Sequence, residues 1–472
     1  MNILFYNNGY LWNNQSVVSL ALAERFKKHN IFFLTCNETL FSCAANPKKI
    51  KNICITCIVN KNKILKNLKK KDNFQESILS GNDNYNRFNF EIKDFYQIKN
   101  IYYKNMPIGE LVISQICDDE KSDYLPREFI LKNKERILKE LNSGIELFES
   151  TISKINYFKI DKIYAWNGRR PSDGPVLFAA KHKRILFKSF VSSTPKKYFL
   201  SKGTKIHDLK EIKRLLNSYL KYILKKNINL KKIYKNFILN KINGSIHKKN
   251  YGYQRVNTNK GKKIGEKNYI VFFTSSGYEN AGFKDWESKI YLDQYQAINK
   301  LINDKRLRNI RIIIKWHPLL KNAGIIEKQR AEEIIKVKAK NVRHIRYDEN
   351  INSYNILKNA NKVITFGSSI VFEADYFKKP IISLTETPYD DLNFFYKASS
   401  HEEAINLIKK KINRKVSILP SIQAALIKNN IFEFKLKKFT YKNNNYYFKN
   451  KKIINYTYFD RLRILIARIL HV

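Results

Sequence analysis

Two runs in the C-terminal half constrain the fold most. Ile312-Ile313-Ile314-Lys315-Trp316-His317-Pro318 and Val363-Ile364-Thr365-Phe366-Gly367-Ser368-Ser369 are apolar stretches that stop abruptly in polar or turn-forming residues. A strand apolar on both faces belongs inside a parallel sheet covered by helices. In such open sheets, ligands bind just beyond the carboxyl ends of the strands. The His-Pro pair after one strand and the Gly-Ser-Ser turn after the other are therefore expected to face one crevice. Their chemistry suits a phosphorylated ligand.

The alternation extends on both sides of these runs. Strands are expected at residues 269–273, 310–315, 342–346, 362–366 and 380–384, with helices at 286–302, 331–337, 353–359 and 370–377 between them, a five-stranded doubly wound sheet. The N-terminal half opens the same way. Strand 3–6, a helix through Val17, Leu20 and Phe26, and strand 31–34 form a βαβ unit. A long helix over 128–155, strand 162–166, a helix through Val176 to Ala180 and strand 185–190 continue it. No Gly-x-Gly-x-x-Gly is present, so a dinucleotide fingerprint is absent. Residues 57–100 read as a polar, lysine-rich insertion without strong periodicity.

A chain of 472 residues exceeds one ordinary core, which stops growing near roughly 250–300 residues. Two Rossmann-like domains are expected, 1–255 and 256–415, followed by a basic tail or helix, 416–472. The polar Asn257-Thr258-Asn259-Lys260-Gly261 marks the boundary. In the tail, Arg461, Arg463 and Arg468 among apolar residues fit either an interfacial helix on anionic lipid or a helix packed on the body. With no basic-then-apolar leader and no run near the roughly 20 apolar residues of a spanning helix, the expected location is the cytoplasm or the inner face of the cytoplasmic membrane, peripherally bound.

The formal charge of +48, from 89 Lys+Arg against 41 Asp+Glu, invites a nucleic-acid reading. Against it, the lysines travel with asparagine and isoleucine along the whole length, and no RNP-type, zinc-finger or basic-zipper pattern occurs. Four of the five cysteines, Cys36, Cys43, Cys54 and Cys57, fall in one stretch, 36–57, ending in Cys-x-x-Cys. Thiolates so clustered would suit a structural zinc or an iron-sulfur cluster, and cysteines packed as small hydrophobes are the alternative.

His317 leaves its strand before a proline, so its backbone cannot start a helix at once. An imidazole there can donate to a phosphate oxygen. Backbone N–H groups and hydroxyls of Gly367-Ser368-Ser369 favour an anion, or cap the next helix. Glu373 could accept from a ribose diol, or offset the helix dipole.

Tyr164-Ala165-Trp166-Asn167-Gly168-Arg169, Phe273-Thr274-Ser275-Ser276, Lys315-Trp316-His317-Pro318 and Gly367-Ser368-Ser369-x-x-x-Glu373-Ala374, with Lys379-Pro380-Ile381-Ile382, together resemble the bacterial capsule polysaccharide biosynthesis glycosyltransferases, a Kdo-transferase-like family of GT-B architecture. The resemblance covers roughly residues 160–195 and 268–390. It implies α/β domains facing a cleft, a nucleotide-sugar donor (CMP-linked Kdo) and a glycan or glycolipid acceptor. It places His317, Ser368 and Ser369 on the nucleotide phosphate, and Asn167, Gly168 and Arg169 on the acceptor side. The aromatic-to-glutamate run that follows Asn-Gly-Arg in the family is Arg170-Pro171-Ser172-Asp173 here.

Sugar transfer builds negative charge on the leaving nucleotide, which pre-aimed donors must hold. His317, Ser368, Ser369 and the helix N-terminus are expected to do so, with Lys315 as helper, and Pro318, Gly367 and Glu373 complete the expected nucleotide-sugar site. Ser275, Ser276 and Glu279 are expected to line the cleft. No metal is then needed for departure. A carboxylate of the first domain should serve as general base, with Asp173 ahead of Asp118 and Asp119. A UDP- or GDP-sugar transferase or an epimerase-like enzyme is the alternative within enzymes. The Glu-x7-Glu pair of many retaining GT-B enzymes is missing, since Thr365 and Ile381 flank Glu373 at that spacing. Outside enzymes, the alternative is a basic nucleic-acid-binding scaffold.

Overall fold

A computed structural model describes residues 1–7, 28–43, 46, 48–66, 74–79, 88–194, 197–200, 208–214, 229–242, 262–418, 420–421, 439–442, 445–448, 451–452, 462 and 465. The chain forms two compact units. The first comprises Met1–Asp119, Pro126–His207 and Phe432–Val472, and the second Glu120–Leu125 and Asp208–Ile431.

The first unit is built on β1 (Asn2–Asn7), β2 (Asn30–Thr35), β3 (Phe74–Ile78), β4 (Lys162–Trp166), β5 (Leu186–Thr194) and β6 (Lys197–Leu200). Their order across the sheet is β3-β2-β1-β4-β5-β6, parallel except for the last pair. β1 reads as an apolar run because it is a central strand. Ile3, Leu4, Phe5 and Tyr6 are all fully buried, and Phe5 stacks on Phe33 and Tyr164 of its two neighbours.

The second unit holds β7 (Tyr269–Phe273), β8 (Ile312–Lys315), β9 (Val342–Ile345), β10 (Ala360–Thr365), β11 (Ile381–Ser383) and β12 (Tyr396–Lys397), ordered β12-β11-β10-β7-β8-β9 and parallel throughout. Both sheets thus show the 3-2-1-4-5-6 order of doubly wound dinucleotide-type folds, which reverses direction next to the first strand. The fold class is the expected one, α/β with two Rossmann-like, GT-B-like parallel sheets.

The differences from expectation have local causes. The second sheet has a sixth strand, β12, only two residues long, too short to leave a pattern. Residues 57–100 are not a featureless insertion: helix Lys51–Lys66 runs into them, β3 supplies an edge strand and Phe95–Lys99 is helical behind an Asp94 cap. The helix expected over 128–155 is two, Arg127–Lys132 and Lys134–Tyr157, hinged at Asn133, whose backbone and side-chain N–H groups both turn back to carbonyls of the preceding turn. A buried helix, Ile108–Glu120, was not expected at all. In the second unit the helix expected from 286 begins at Gln294, where the Asp293 carboxylate accepts the Gln296 N–H.

The helix expected over 17–26, the boundary at 255/256 and Arg461, Arg463 and Arg468 lie outside the described residues. In the tail, β13 (Phe439–Lys442), β14 (Asn445–Phe448) and β15 (Lys451–Lys452) form a small antiparallel sheet. No described helix is long and apolar enough to cross a membrane.

Candidate functional site

The direction of the second sheet reverses between β7 and β10, so the carboxyl ends of β8, β7 and β10 lie side by side there. These ends carry His317, Thr274-Ser275-Ser276 and Gly367-Ser368-Ser369. Two hydrogen bonds tie them together. The His317 N–H donates to Thr274 Oγ1 at 2.7 Å, and Ser275 Oγ donates to the Phe366 carbonyl at 2.6 Å. Gln294 clamps the same turn, accepting from the Ser275 N–H at 2.9 Å and donating to the Ser275 carbonyl at 3.0 Å.

A shallow concave site, open to solvent, sits over the ends of β7 and β8. Its polar lining includes Thr274, Ser275, Ser276, His317, Lys121 and Glu327, and its floor includes Trp316 and Tyr295. Those two rings stack 6.0 Å apart, and Trp316 donates to His344 Nδ1 at 3.2 Å.

The tautomer of His317 follows from its surroundings. The ring caps the short 3-10 helix Pro318–Asn322 by accepting the Leu319 N–H on Nδ1 at 3.2 Å. A neutral imidazole accepting on Nδ1 carries its proton on Nε2, which is then the donor. Burial, with the charge of Lys315 adding to it, depresses the imidazole to about 4, so the ring is neutral at physiological pH. It can polarise or hold an anion without bringing charge of its own.

The other expected ligands distribute unevenly. Lys315 is 4% exposed, donates its ammonium to the Arg346 carbonyl at 3.3 Å, and does not line the site. Burial lowers it to about 8. Pro318 opens the 3-10 helix and is exposed. Gly367 adopts φ +75, the left-handed region that favours glycine. Ser368 Oγ accepts the Ile370 N–H at 3.4 Å, and the helix that follows, Val371–Tyr376, is only six residues long. Its macrodipole is correspondingly small. Ser368 and Ser369 stand one strand beyond Ser275, about 10 Å from the His317 strand at the usual interstrand spacing. Glu373 is buried and ion-paired with Lys241 at 2.7 Å, while its Oε2 has no hydrogen-bond partner. Glu279 is exposed on the loop after β7.

The sequence alone did not single out Lys121, Tyr295 or Glu327. Each is an ordinary residue type, and Lys121 is separated from the rest of the lining by more than 150 positions, so no spacing rule could connect them.

In the first unit the corresponding reversal lies between β1 and β4. β4 ends in Asn167 and Gly168, at φ +57 and +83, which turn the chain sharply. Arg169 and Arg170 both pair with Asp118, the former at 3.2 Å. Asp119 pairs with Arg136. Neither aspartate is a solvated loop charge. Asp173 has no exposed surface. Its Oδ1 accepts the Arg170 N–H at 3.0 Å, while Oδ2 has no hydrogen-bond partner; nor has the buried Asn167 Oδ1. Burial pushes the carboxyl up to about 6, against the opposing pull of Arg170 and Arg169.

Cys54 accepts from Asn46 at 3.2 Å and Cys36 from Thr39 at 3.7 Å. None of Cys36, Cys43, Cys54 and Cys57 is in a disulfide. Among the described residues no group of three or more His, Cys, Asp or Glu is arranged to hold a metal ion, so no geometry carries the zinc or iron-sulfur expectation.

A family model described as capsule polysaccharide biosynthesis protein matches residues 169–417, slightly more than half of the chain. No curated protein matches the sequence. Among solved structures, a KpsC β-Kdo 2,4 transferase of Thermosulfurimonas dismutans is 14% identical with a TM-score of 0.30, covering 65% of this chain and 87% of that one. The β-Kdo 2,7 transferase of the same organism's KpsC is 14% identical with a TM-score of 0.35, covering 68% and 89%. UDP-GlcNAc 2-epimerase of Methanocaldococcus jannaschii, in complex with UDP-GlcNAc and UDP, is 13% identical with a TM-score of 0.28, covering 91% and 99%. At these scores the three likenesses carry no inference about chemistry.

Proposed function

The chain belongs to the capsule polysaccharide biosynthesis protein family, and from that premise we propose that it is a glycosyltransferase moving a sugar from a nucleotide-activated donor, CMP-linked and Kdo-like, onto a capsular or other surface glycan. One observation carries the reading. A concave site lies at the switch point of a 3-2-1-4-5-6 sheet, and a neutral histidine and serine hydroxyls line it.

Departure of the nucleotide leaves negative charge on a phosphate oxygen. His317 Nε2–H, already fixed by the Leu319 and Thr274 bonds, is aimed without reorganisation to meet that charge. Ser275 is held by Gln294 and Phe366, so its neighbour Ser276 also sits on a stiff turn. Ser368 and Ser369 at the end of β10 fit the far end of the same ligand, since a nucleoside phosphate spans the width of two strands. The donors on these residues are protein groups, so the proposed departure is metal-independent.

Asp173 is the proposed general base. With its carboxyl at about 6 it is ionised at neutral pH yet more basic than an ordinary aspartate, and Oδ2 has no partner to compete for an acceptor proton. An acceptor hydroxyl must reach that buried oxygen for the step to run.

Thermal unfolding with CMP, UDP and GDP, on the wild type and on His317→Ala, tests the assignment. A nucleotide at 100 times its Kd stabilises by about 2.7 kcal/mol. CMP should raise the wild-type Tm most, and His317→Ala should lose most of that rise. No response to any nucleotide, or an equal response of the variant, sinks the reading.

A further inference from the structure

The neutral state of His317 leaves the pocket with a charge problem. A phosphate carries at least one negative charge into the site, and a neutral ring cannot offset it. Among the described residues, one cation lines the cavity: Lys121.

Lys121 arrives by an unusual route. The chain before residue 120 and after residue 125 belongs to the first unit, whereas Glu120–Leu125 belongs to the second. This strap is fastened on both sides of the lysine. Ahead of it, the Glu120 carbonyl lies so close to Gly324 that a Cβ there would sit 1.7 Å from the oxygen, and the Gly324 N–H donates to the Lys121 carbonyl at 3.3 Å. Behind it, Ser122 Oγ and the Asp123 N–H donate to Glu327 Oε2 at 3.0 and 3.2 Å, and Arg330 donates to the Asp123 carboxylate at 2.7 Å. Tyr295 Oη occupies the other oxygen of Glu327 at 2.5 Å. The Glu327 carboxylate is thus engaged by the strap, by Tyr295 and by an ion pair with Arg330 at 3.6 Å.

The Lys121 ammonium lies 5.0 Å from the centroid of the Tyr278 ring. An aromatic face attracts a cation. The backbone of the lysine is pinned, and its charge rests on a π-face at the rim of a site that otherwise offers only neutral donors.

We infer that Lys121, delivered by the strap Glu120–Leu125, is the cationic ligand for the donor's phosphate in the second unit's pocket. The inference deepens the proposed function and rests on it. It adds a residue outside the stretch matched by the family model, 169–417.

The test compares a nucleotide with its own nucleoside by isothermal titration: CMP against cytidine, and likewise UDP and GDP with theirs, on the wild type, Lys121→Ala and Lys121→Arg. A charge-assisted contact is expected to make CMP bind Lys121→Ala about 10- to 100-fold more weakly, with cytidine affinity unchanged. Lys121→Arg should recover most of the CMP affinity, and the salt dependence of CMP binding should flatten in Lys121→Ala. Equal CMP affinity of Lys121→Ala and the wild type overturns this inference and leaves the proposed function standing. So does a parallel loss of cytidine and CMP, which would mark a strap that merely holds the pocket's shape. Failure of the wild type to bind any of the three nucleotides overturns both.

Discussion

Replacing Asp173 by asparagine should stabilise the protein at neutral pH while abolishing transfer. The carboxyl is fully buried, and burial raises it from the ordinary 3.8 to about 6. The folded state therefore binds the proton more tightly than the unfolded chain does. Ionisation in place costs nothing below about pH 4, costs progressively more between about 4 and 6, and is fully expressed above that. Roughly two pKa units at about 1.4 kcal/mol each give about 3 kcal/mol. Asparagine mimics the protonated acid and avoids that cost. Its amide NH2 would stand where Oδ2 now has no partner and would itself lack an acceptor, returning about 1 kcal/mol. The net gain at pH 7 to 8 is about 2 kcal/mol. For a unit of this size that is a Tm rise of roughly 4–8 °C. At pH 4 the variant should be slightly less stable than the wild type. The assay is thermal unfolding of both proteins from pH 4 to 8. A Tm difference that stays flat across that range would show that burial does not raise the Asp173 carboxyl, and the argument for it as a tuned base would go with it.

Two further substitutions probe the second unit. Thr274→Val keeps the shape of the side chain but removes the acceptor for the His317 N–H, so it should cost about 1–2 kcal/mol in unfolding free energy and weaken nucleotide binding with it; unchanged nucleotide affinity would show that His317 needs no such anchor. Gly324→Ala puts a Cβ against the Glu120 carbonyl, a backbone atom that cannot rotate away, and should cost about 2 kcal/mol or more and displace the strap, read as lower Tm and faster proteolysis near residue 121.

Much of the scaffold could be read from residue order because parallel strands announce themselves. Tyr269–Phe273 and Lys162–Trp166 were expected with the boundaries found, since a strand buried on both faces must be apolar along its length. His317 and the serines were legible for the same reason: a polar residue directly after such a strand has to emerge at the carboxyl edge of the sheet. Edge strands failed. β3 carries Gln75, Glu76 and Ser77, and β12 is two residues long, so neither has the burial that writes a pattern. The surroundings of Lys315 and Glu373 were not legible. The strand and helix that carry them were correctly expected, but their side chains spend their charge on the Arg346 carbonyl and on Lys241.

Residue order thus determined the class of sheet and which residues stand at its carboxyl edge, because periodicity and burial are properties of contiguous chain. It could not determine charge state or company. That His317 is neutral with its proton on Nε2, that Asp173 is an acid near 6, and that Lys121 reaches the pocket all depend on desolvation and on groups brought together from distant positions. Only the tertiary structure assembles those surroundings, and the electrostatics of a side chain is set by its surroundings rather than by its neighbours in the chain.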